Sequence, residues 1–259
     1  MRTLCVLIGF DYKNTKKNLV CIFIDLYIAY TSLKNMGHKK IMIITDIVET
    51  PDILLLKNAI FDGLVGGNIL SFMSEIRNKG KYIKYTGSIS LKHLIMSLVK
   101  LNNQEKMLLY YTGHGENNSI TLPTKFDVLS MNDIKDIIEE STKINKAIIL
   151  MDCCFGSINL PYTLRGKTYR LSTNDMKFSK KKILCISSTT KCGTSLMTNT
   201  GSVFTKSLFE NIALSDVVEI TNRINTEIWT KSNSKQKVTV YSSHPNIKNI
   251  TQILELGPN

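Results

Sequence analysis

Two short segments place reactive side chains directly after apolar runs of strand length. Residues 107–115 are MLLYYTGHG, and residues 147–157 are AIILMDCCFGS. Runs rich in Ile, Leu and Tyr are typical of strands buried in a sheet that is covered on both faces. Ligands of such sheets bind beyond the carboxyl ends of the strands. The sequence therefore predicts His114 at the end of one strand and Cys154 at the end of another.

These residue types suit nucleophilic catalysis when they occur together. A cysteine becomes a thiolate near neutral pH with the help of a base or a cation, and a histidine can supply either. Alone, each has a simpler explanation, because a single His is usually structural and a buried Cys is usually inert. Two strand-end segments with a helix-like stretch between them favour a nucleophile and its base.

The two segments also resemble known signatures. Residues 110–115 (YYTGHG) and 152–156 (DCCFG) are similar to the His-Gly and Asp-x-Cys motifs of the metacaspases, within the caspase-like cysteine peptidases of family C14. Caspases proper are less similar, because they carry Gln-Ala-Cys at the nucleophile. The resemblance extends over most of the chain. It implies a caspase-like fold and a cysteine endopeptidase that cleaves after Arg or Lys with a Cys-His dyad.

The resemblance assigns roles to the reactive residues. Cys154 holds the third place of Asp-x-Cys and is the expected nucleophile, with His114 as the acid–base. Cys153 is the alternative, but alternation at the strand end directs the two thiols to opposite sides. The backbone N–H groups of Gly115 and Cys154 are the implied oxyanion hole, and glycine leaves its amide unshielded.

Acidic residues indicate the substrate. An unpaired carboxylate buried at a strand end is costly, so Asp152 is either paired in the fold or awaits a cationic ligand. In the resembling family, this Asp binds the Arg or Lys that precedes the cleaved bond. Asp25 is the acid within the apolar stretch Leu19–Tyr30 and overlays a second pocket residue of the family, although it could equally be a helix-surface carboxylate. Thr112 takes the place of a Ser that lines the same pocket.

The sequence departs from the family pattern at two places. Phe155 stands where metacaspases often have His, and Gly156-Ser157 inverts their usual Ser-Gly, which alters the loop after the nucleophile. The acidic loop of calcium-dependent members is missing, since Glu116 and Asp127 are isolated and supply too few oxygens for a calcium site. We therefore expect no metal and no cofactor.

Alternating strands and helices predict a single α/β domain over residues 1–259, a three-layer α/β/α sandwich with a mostly parallel, about six-stranded sheet. The predicted strands are Leu4–Phe10, Lys40–Thr45, Met107–Thr112, Lys146–Met151, Ile183–Ser187 and Val238–Tyr241. The predicted helices are Leu19–Met36, Ser88–Leu101, Ser130–Glu140, Ser202–Ile212 and Ser215–Thr230.

Two segments fit this pattern less well. Residues 47–82 contain two further helix candidates, Pro51 to about Phe61 and Ile69–Arg77, and are interpreted as an insertion relative to the family. Residues 158–182 are polar, contain a Pro and seven Arg or Lys residues, and are interpreted as a long loop or linker. Exposed loops are common sites of cleavage, so the enzyme could cut itself there; equally, the basic residues could only solubilise a loop that never reaches the active site.

Composition limits the cellular setting. The six cysteines show no paired zinc spacing, and three of them lie inside apolar runs, which favours reduced thiols in a cytosol-like compartment. The N-terminal apolar run is short and lacks a small-residue cleavage site, so it is not a signal peptide. No apolar run approaches membrane-spanning length. We therefore expect a cytoplasmic protein without membrane contact.

Two other functions stay open. A catalytically weak caspase-like interaction or decoy module is compatible with the altered loop after Cys154, although the presence of both reactive residues argues against it. A net charge of +12 is compatible with nucleic-acid binding. The lysines are scattered, however, and no recognised nucleic-acid motif is present. We expect a monomeric peptidase whose substrates are proteins or peptides with Arg or Lys before the cut.

Overall fold

The computed structural model describes residues 3–13, 15–52, 56–57, 60, 66–124, 128–172, 179–190, 192–232 and 236–254. The strands are β1 (Thr3–Gly9), β2 (Lys40–Thr45), β3 (Tyr82–Lys84), β4 (Lys106–Thr112), β5 (Gly115–Glu116), β6 (Ser119–Thr121), β7 (Val128–Ser130), β8 (Lys146–Asp152), β9 (Tyr162–Arg165), β10 (Thr168–Leu171), β11 (Lys182–Ser187), β12 (Met197–Thr198), β13 (Gly201–Ser202) and β14 (Thr239–Ser242). The helices are α1 (Ile22–Asn35), α2 (Phe72–Asn78), α3 (Leu91–Asn102), α4 (Met131–Glu140), α5 (Val203–Asn211) and α6 (Val217–Ser232), with 3₁₀ turns at Gly67–Ser71, Ile212–Leu214 and Ile250–Gln252.

One large sheet forms the middle layer, with strand order β10-β9-β14-β11-β8-β4-β1-β2-β3. The run from β11 to β3 is parallel, whereas β14, β9 and β10 pair antiparallel. Helices α1, α2, α5 and α6 pack on one face and α3 and α4 on the other, each over its own apolar core. The predicted α/β/α sandwich with a mostly parallel sheet is confirmed.

The helices begin where the sequence supplies an oxygen for the first free N–H groups. The Ser90 and Ser130 side chains accept from the backbone of His93 and Asp133, and Ser130 and Asp133 together form a capping box. Ser202 caps α5 in the same way. All three helices thus begin at a serine cap.

Over the described residues, the sheet has nine strands rather than about six. The added strands are β3, β9 and β10, and the last two lie within residues 158–182, which were predicted to be a loop. That prediction is wrong for the first half of the segment, because Tyr and Thr favour strands on both sides of a two-residue turn. Gly166 supplies the positive φ of that turn, at 63°. Residues 173–178 lie outside the described residues.

The segment 47–82 is partly described. The predicted helix Ile69–Arg77 is present as a 3₁₀ turn, Gly67–Ser71, followed by α2. Most of the predicted helix from Pro51 to about Phe61 lies outside the described residues. The interpretation of this segment as an insertion stays a prediction.

The register brings the carboxyl ends of the central strands level with one another. Thr112 of β4 pairs with Gly9 of β1 on one side and with Asp152 of β8 on the other. Helix α1 crosses close to this edge, since a Cβ on Gly9 would lie 2.8 Å from Ile22. Side chains from β4, β8 and α1 therefore meet at one place. Among the described helices, none has the length and apolar character that a membrane crossing requires.

Candidate active site

The two adjacent cysteines after β8 lie in different environments. Cys153 is buried in the core under α3 and α4, and burial raises the pKa of its thiol well above the usual value. Cys154 is partly exposed, and its Sγ accepts the Ser195 backbone N–H at 3.4 Å. Of this pair, Cys154 is therefore the thiol that a substrate can reach, in keeping with the predicted alternation.

His114 is held by backbone and aromatic contacts. Its Nε2 lies 2.7 Å from the Lys17 carbonyl oxygen, and its ring packs on that of Tyr12 with centroids 4.9 Å apart. The His114 carbonyl accepts from the Tyr111 hydroxyl at 2.6 Å. Because a carbonyl only accepts, Nε2 carries the proton and Nδ1 is left to act as a base. The orienting group is a main-chain oxygen, which no residue type in the sequence could have revealed.

Gly115 brings the two strand ends together. A Cβ at this position would lie 2.1 Å from the Cys154 carbonyl oxygen and 3.0 Å from the Cys153 Sγ. No side chain fits that space, so only glycine allows the residue after His114 to pack on the Cys154 backbone. The structure thus brings together the two residues that were predicted to form the oxyanion hole.

Asp152 is a fully buried carboxylate at the end of β8. One oxygen accepts from the Ser195 hydroxyl at 2.8 Å and the other from the Thr205 hydroxyl at 2.5 Å. The Tyr110 hydroxyl donates in turn to the Thr205 oxygen at 2.6 Å. All of these donors are neutral, and burial raises the pKa of Asp152.

Asp25 lies beside Asp152, although the sequence left it equally open as a helix-surface residue. That alternative is wrong, because the Asp25 side chain is fully buried. It accepts from the Thr112 hydroxyl at 3.1 Å and from the Ser202 backbone N–H at 2.8 Å. Burial, and then the neighbouring charge of Asp152, raise the pKa of Asp25 well above the usual value. Asp25, Thr112 and Asp152 therefore form one cluster.

This cluster contains two acids and no cation. Within the described part of the chain, neither Asp25 nor Asp152 forms an ion pair. Two neighbouring carboxylates out of water disfavour each other's ionisation, and a cation placed between them would relieve that repulsion. The geometry is therefore suited to a positively charged ligand group.

The segment after β11 that contains Ser195, called the covering segment below, contacts both the Cys154 thiol and the Asp152 carboxylate. Ser195 donates its N–H to Cys154 and its hydroxyl to Asp152. Gln236 anchors the segment, since its Oε1 accepts the Leu196 N–H at 2.7 Å and its Nε2 donates to the Ser188 carbonyl at 3.0 Å. Sequence reasoning missed Ser195, Thr205 and Gln236, because such polar residues are common in loops and helices and carry no specific signal.

The loop after the nucleophile is a tight turn. Phe155 has a φ of 55°, which is uncommon for a bulky residue. Its N–H donates to the Gly193 carbonyl at 3.1 Å, and the Ser157 N–H donates to the Phe155 carbonyl at 2.9 Å. The unusual Phe-Gly-Ser sequence thus connects the nucleophile to the covering segment by a main-chain hydrogen bond.

Metal ligands were not expected at the site. No group of three or more His, Cys, Asp or Glu side chains is placed to hold a metal among the residues that the structure describes. Glu116 lies 3.9 Å from the Lys17 ammonium group, and Asp127 is outside the described residues. Independence from calcium stays a prediction.

A cysteine and a histidine at the carboxyl ends of adjacent parallel strands, in an α/β/α sandwich, define the class of caspase-like cysteine peptidases. A sequence model of peptidase family C14, the caspase domain, matches residues 2–250, and the chain belongs to this family. The fold is similar to that of caspase-1 from Spodoptera frugiperda, with a TM-score of 0.56 and 12% identity over 93% of this chain and 85% of the other. No curated protein sequence matches the chain.

Proposed function

We propose that the protein is a metacaspase-like cysteine endopeptidase that cleaves after Arg or Lys with a Cys154–His114 dyad. The observation that carries this proposal is a pair of buried carboxylates without a cationic partner in the described chain: Asp152, two residues before the nucleophile, and Asp25, which shares its pocket. A guanidinium or ammonium group in this pocket would neutralise them. An Asp side chain before the cut would add a third negative charge.

The chemistry follows from the placement of the dyad. His114 takes the thiol proton at Nδ1, and the Cys154 thiolate attacks the carbonyl carbon of the scissile peptide bond. The N–H groups of Gly115 and Cys154 stabilise the negative charge on the carbonyl oxygen. His114 then donates its proton to the leaving amine, and water hydrolyses the remaining thioester. The carbonyl of Lys17 accepts from Nε2–H throughout, so that proton transfer takes place at Nδ1.

The pocket must open before a substrate enters it. The Ser195 hydroxyl occupies one oxygen of Asp152, and its backbone N–H faces the Cys154 sulfur. A substrate guanidinium would replace this neutral donor by a charged one, and charge-assisted hydrogen bonds are the stronger kind. Displacement of the covering segment is therefore favourable for a basic residue.

A fluorogenic peptide panel that varies only the residue before the cut tests the proposal. We expect wild type to hydrolyse the Arg and Lys peptides, and Cys154→Ala and His114→Ala to be inactive while circular dichroism shows an intact fold. Preference for Asp would overturn the assigned specificity. If wild type turned over no peptide, the decoy alternative would gain support. A salt-dependent shift with DNA or RNA would support the nucleic-acid alternative.

We further propose that the protein acts as a monomer in a reducing, cytoplasmic compartment. The outer edge of β14 is paired with β9, through Tyr241 and Thr163, so β14 does not offer an open edge to a second copy. All six cysteines are free thiols. Light scattering after gel filtration measures the oligomeric state, and repeating it with and without reductant shows whether disulfides affect it. A stable dimer would contradict the proposed monomer.

A further inference from the structure

A cationic groove lies beyond the nucleophile, next to the added hairpin. Its volume is about 770 Å³, and it is lined by the segment after Cys154, the β9–β10 hairpin, α6 and the start of β14. Among the residues that the structure describes, the charged ones that line it are all cations, namely Arg165, Arg170 and Lys237. These side chains are exposed, and none has an ion-pair partner among the described residues.

The hairpin register directs the two arginines to the same side. Arg165 pairs with Thr168, and Arg170 pairs with Thr163. Paired residues in an antiparallel ladder share a face, as do residues two apart on one strand. Arg165 and Arg170 therefore project from one face of the hairpin, and their charges act on the same space.

The chemistry of the dyad fixes the direction in which a substrate runs. His114, at the end of β4, must reach the leaving amine, so the segment after the cut lies on the β4 side. The residues before the cut must extend the other way, over the ends of β11, β14 and β9. The covering segment follows this route, since Ser195 contacts Cys154 whereas Thr190 lines the groove.

Strand spacing gives the distance to the groove. Neighbouring strands lie about 4.8 Å apart, so three steps from β8 to β9 span roughly 14 Å. An extended peptide advances about 3.3 Å per residue and covers this distance in roughly four residues. Lys237, which lies two residues before β14, is roughly two steps away, or about three residues. The groove is thus within reach of the substrate chain itself.

We propose that this cationic groove binds acidic side chains of the substrate, roughly three to five residues before the cleaved bond. The preferred substrate would then combine Asp or Glu upstream with Arg or Lys at the cut. This inference rests on the proposed function and adds a second, oppositely charged specificity element to it.

The test uses peptides with Arg before the cut and Asp, Ala or Lys at each of the second to fifth upstream positions. A minimal substrate, blocked Arg linked to the fluorophore, normalises each variant. Exposed charge pairs contribute about 0.2–1 kcal/mol each, so two or three of them should favour Asp over Lys by roughly 2- to 150-fold in kcat/KM at low salt. The preference should shrink at high ionic strength, because the pairs are exposed.

Charge reversal distinguishes the groove from the general charge of the protein. Arg165→Glu and Arg170→Glu should each reduce the Asp preference, and together they should favour Lys upstream. Lys100→Glu, an exposed lysine of α3 outside the groove, makes the same change in net charge and should retain the preference. The inference would be overturned if wild type showed no preference for Asp at the upstream positions, or if the Asp preference persisted in the double variant. Failure to cleave the minimal substrate would overturn the proposed function, and this inference with it.

Discussion

Asp152→Asn tests whether the pocket recognises charge. The amide keeps the shape of the side chain and removes its negative charge, while Ser195 and Thr205 remain its neutral neighbours. Removing one partner of a buried charge pair costs about 2–5 kcal/mol, and an isosteric amide retains one acceptor. We expect a loss of about 2–4 kcal/mol, which is roughly 30- to 900-fold in kcat/KM for Arg peptides.

The assay compares two peptides that differ only in Arg or citrulline before the cut, because citrulline has the shape of Arg without its charge. The ratio of kcat/KM for the Arg peptide to that for the citrulline peptide should fall towards one in Asp152→Asn. Asp133→Asn is the control, since that carboxylate lies at the start of α4, pairs with Lys92 and accepts from the Ser130 hydroxyl. If Asp152→Asn lowered turnover of both peptides equally, the pocket would not discriminate charge and the reasoning would be refuted.

The same substitution should stabilise the fold at neutral pH. It removes one of two neighbouring buried carboxylates, and each kcal/mol gained raises Tm by about 2–4 °C for a protein of this size. Burial raises the pKa of Asp25 and Asp152, so the folded state holds protons that the unfolded state has released. Wild type therefore gains stability as pH falls through these raised pKa values, and the variant should gain less. Differential scanning fluorimetry across pH measures both effects, and a lower Tm of the variant at pH 7 would contradict them.

Four further predictions concern the thiols, calcium, a buried histidine and self-cleavage. Cys153→Ser should keep most peptidase activity, because that thiol lies in the core; if it were inactive and Cys154→Ala active, the nucleophile would be one residue earlier. Initial rates should be the same with excess chelator, and a loss that added calcium restores would show that ligands were missed. Burial lowers the pKa of His38, so the free energy of unfolding should fall as pH drops below about 6.5. Between pH 7.5 and 5, the urea midpoint of unfolding should therefore fall less in His38→Leu than in wild type. Intact mass over time should show slow cleavage within 158–182 in wild type but not in Cys154→Ala; wild type that stays whole while it cleaves peptide would contradict this.

The fold and the positions of His114 and Cys154 near strand ends could be predicted from the sequence, because both depend on local patterns. Each central strand is an apolar run, and Cys154 and His114 directly follow two of them. The six parallel and antiparallel strands that were predicted are all present. The hairpin in 158–182 was missed because its Arg and Lys residues suggested a solvated loop, and they obscured the strand-forming residues between them.

The contacts across the site could not be predicted, because they depend on register and on the main chain. Asp25 and Asp152 are 127 residues apart, and only the packing of α1 against the strand ends brings them together. The orienting group of His114 is the carbonyl of Lys17, and every residue has a carbonyl. Ser195 reaches both the thiol and the pocket from a loop whose path no local pattern defines.

The outer strands of the large sheet are short and carry cations. Strand β3 has three residues and includes the exposed Lys84, and β10 has four and includes the exposed Arg170. Long, flat, apolar edges promote aggregation by pairing with other chains, whereas short edges with charged side chains resist it. In the described part of the chain these two strands form opposite edges of the sheet, and their cations help to protect those edges from β-aggregation. Part of the net charge of +12 thus serves colloidal stability, independently of any anionic ligand.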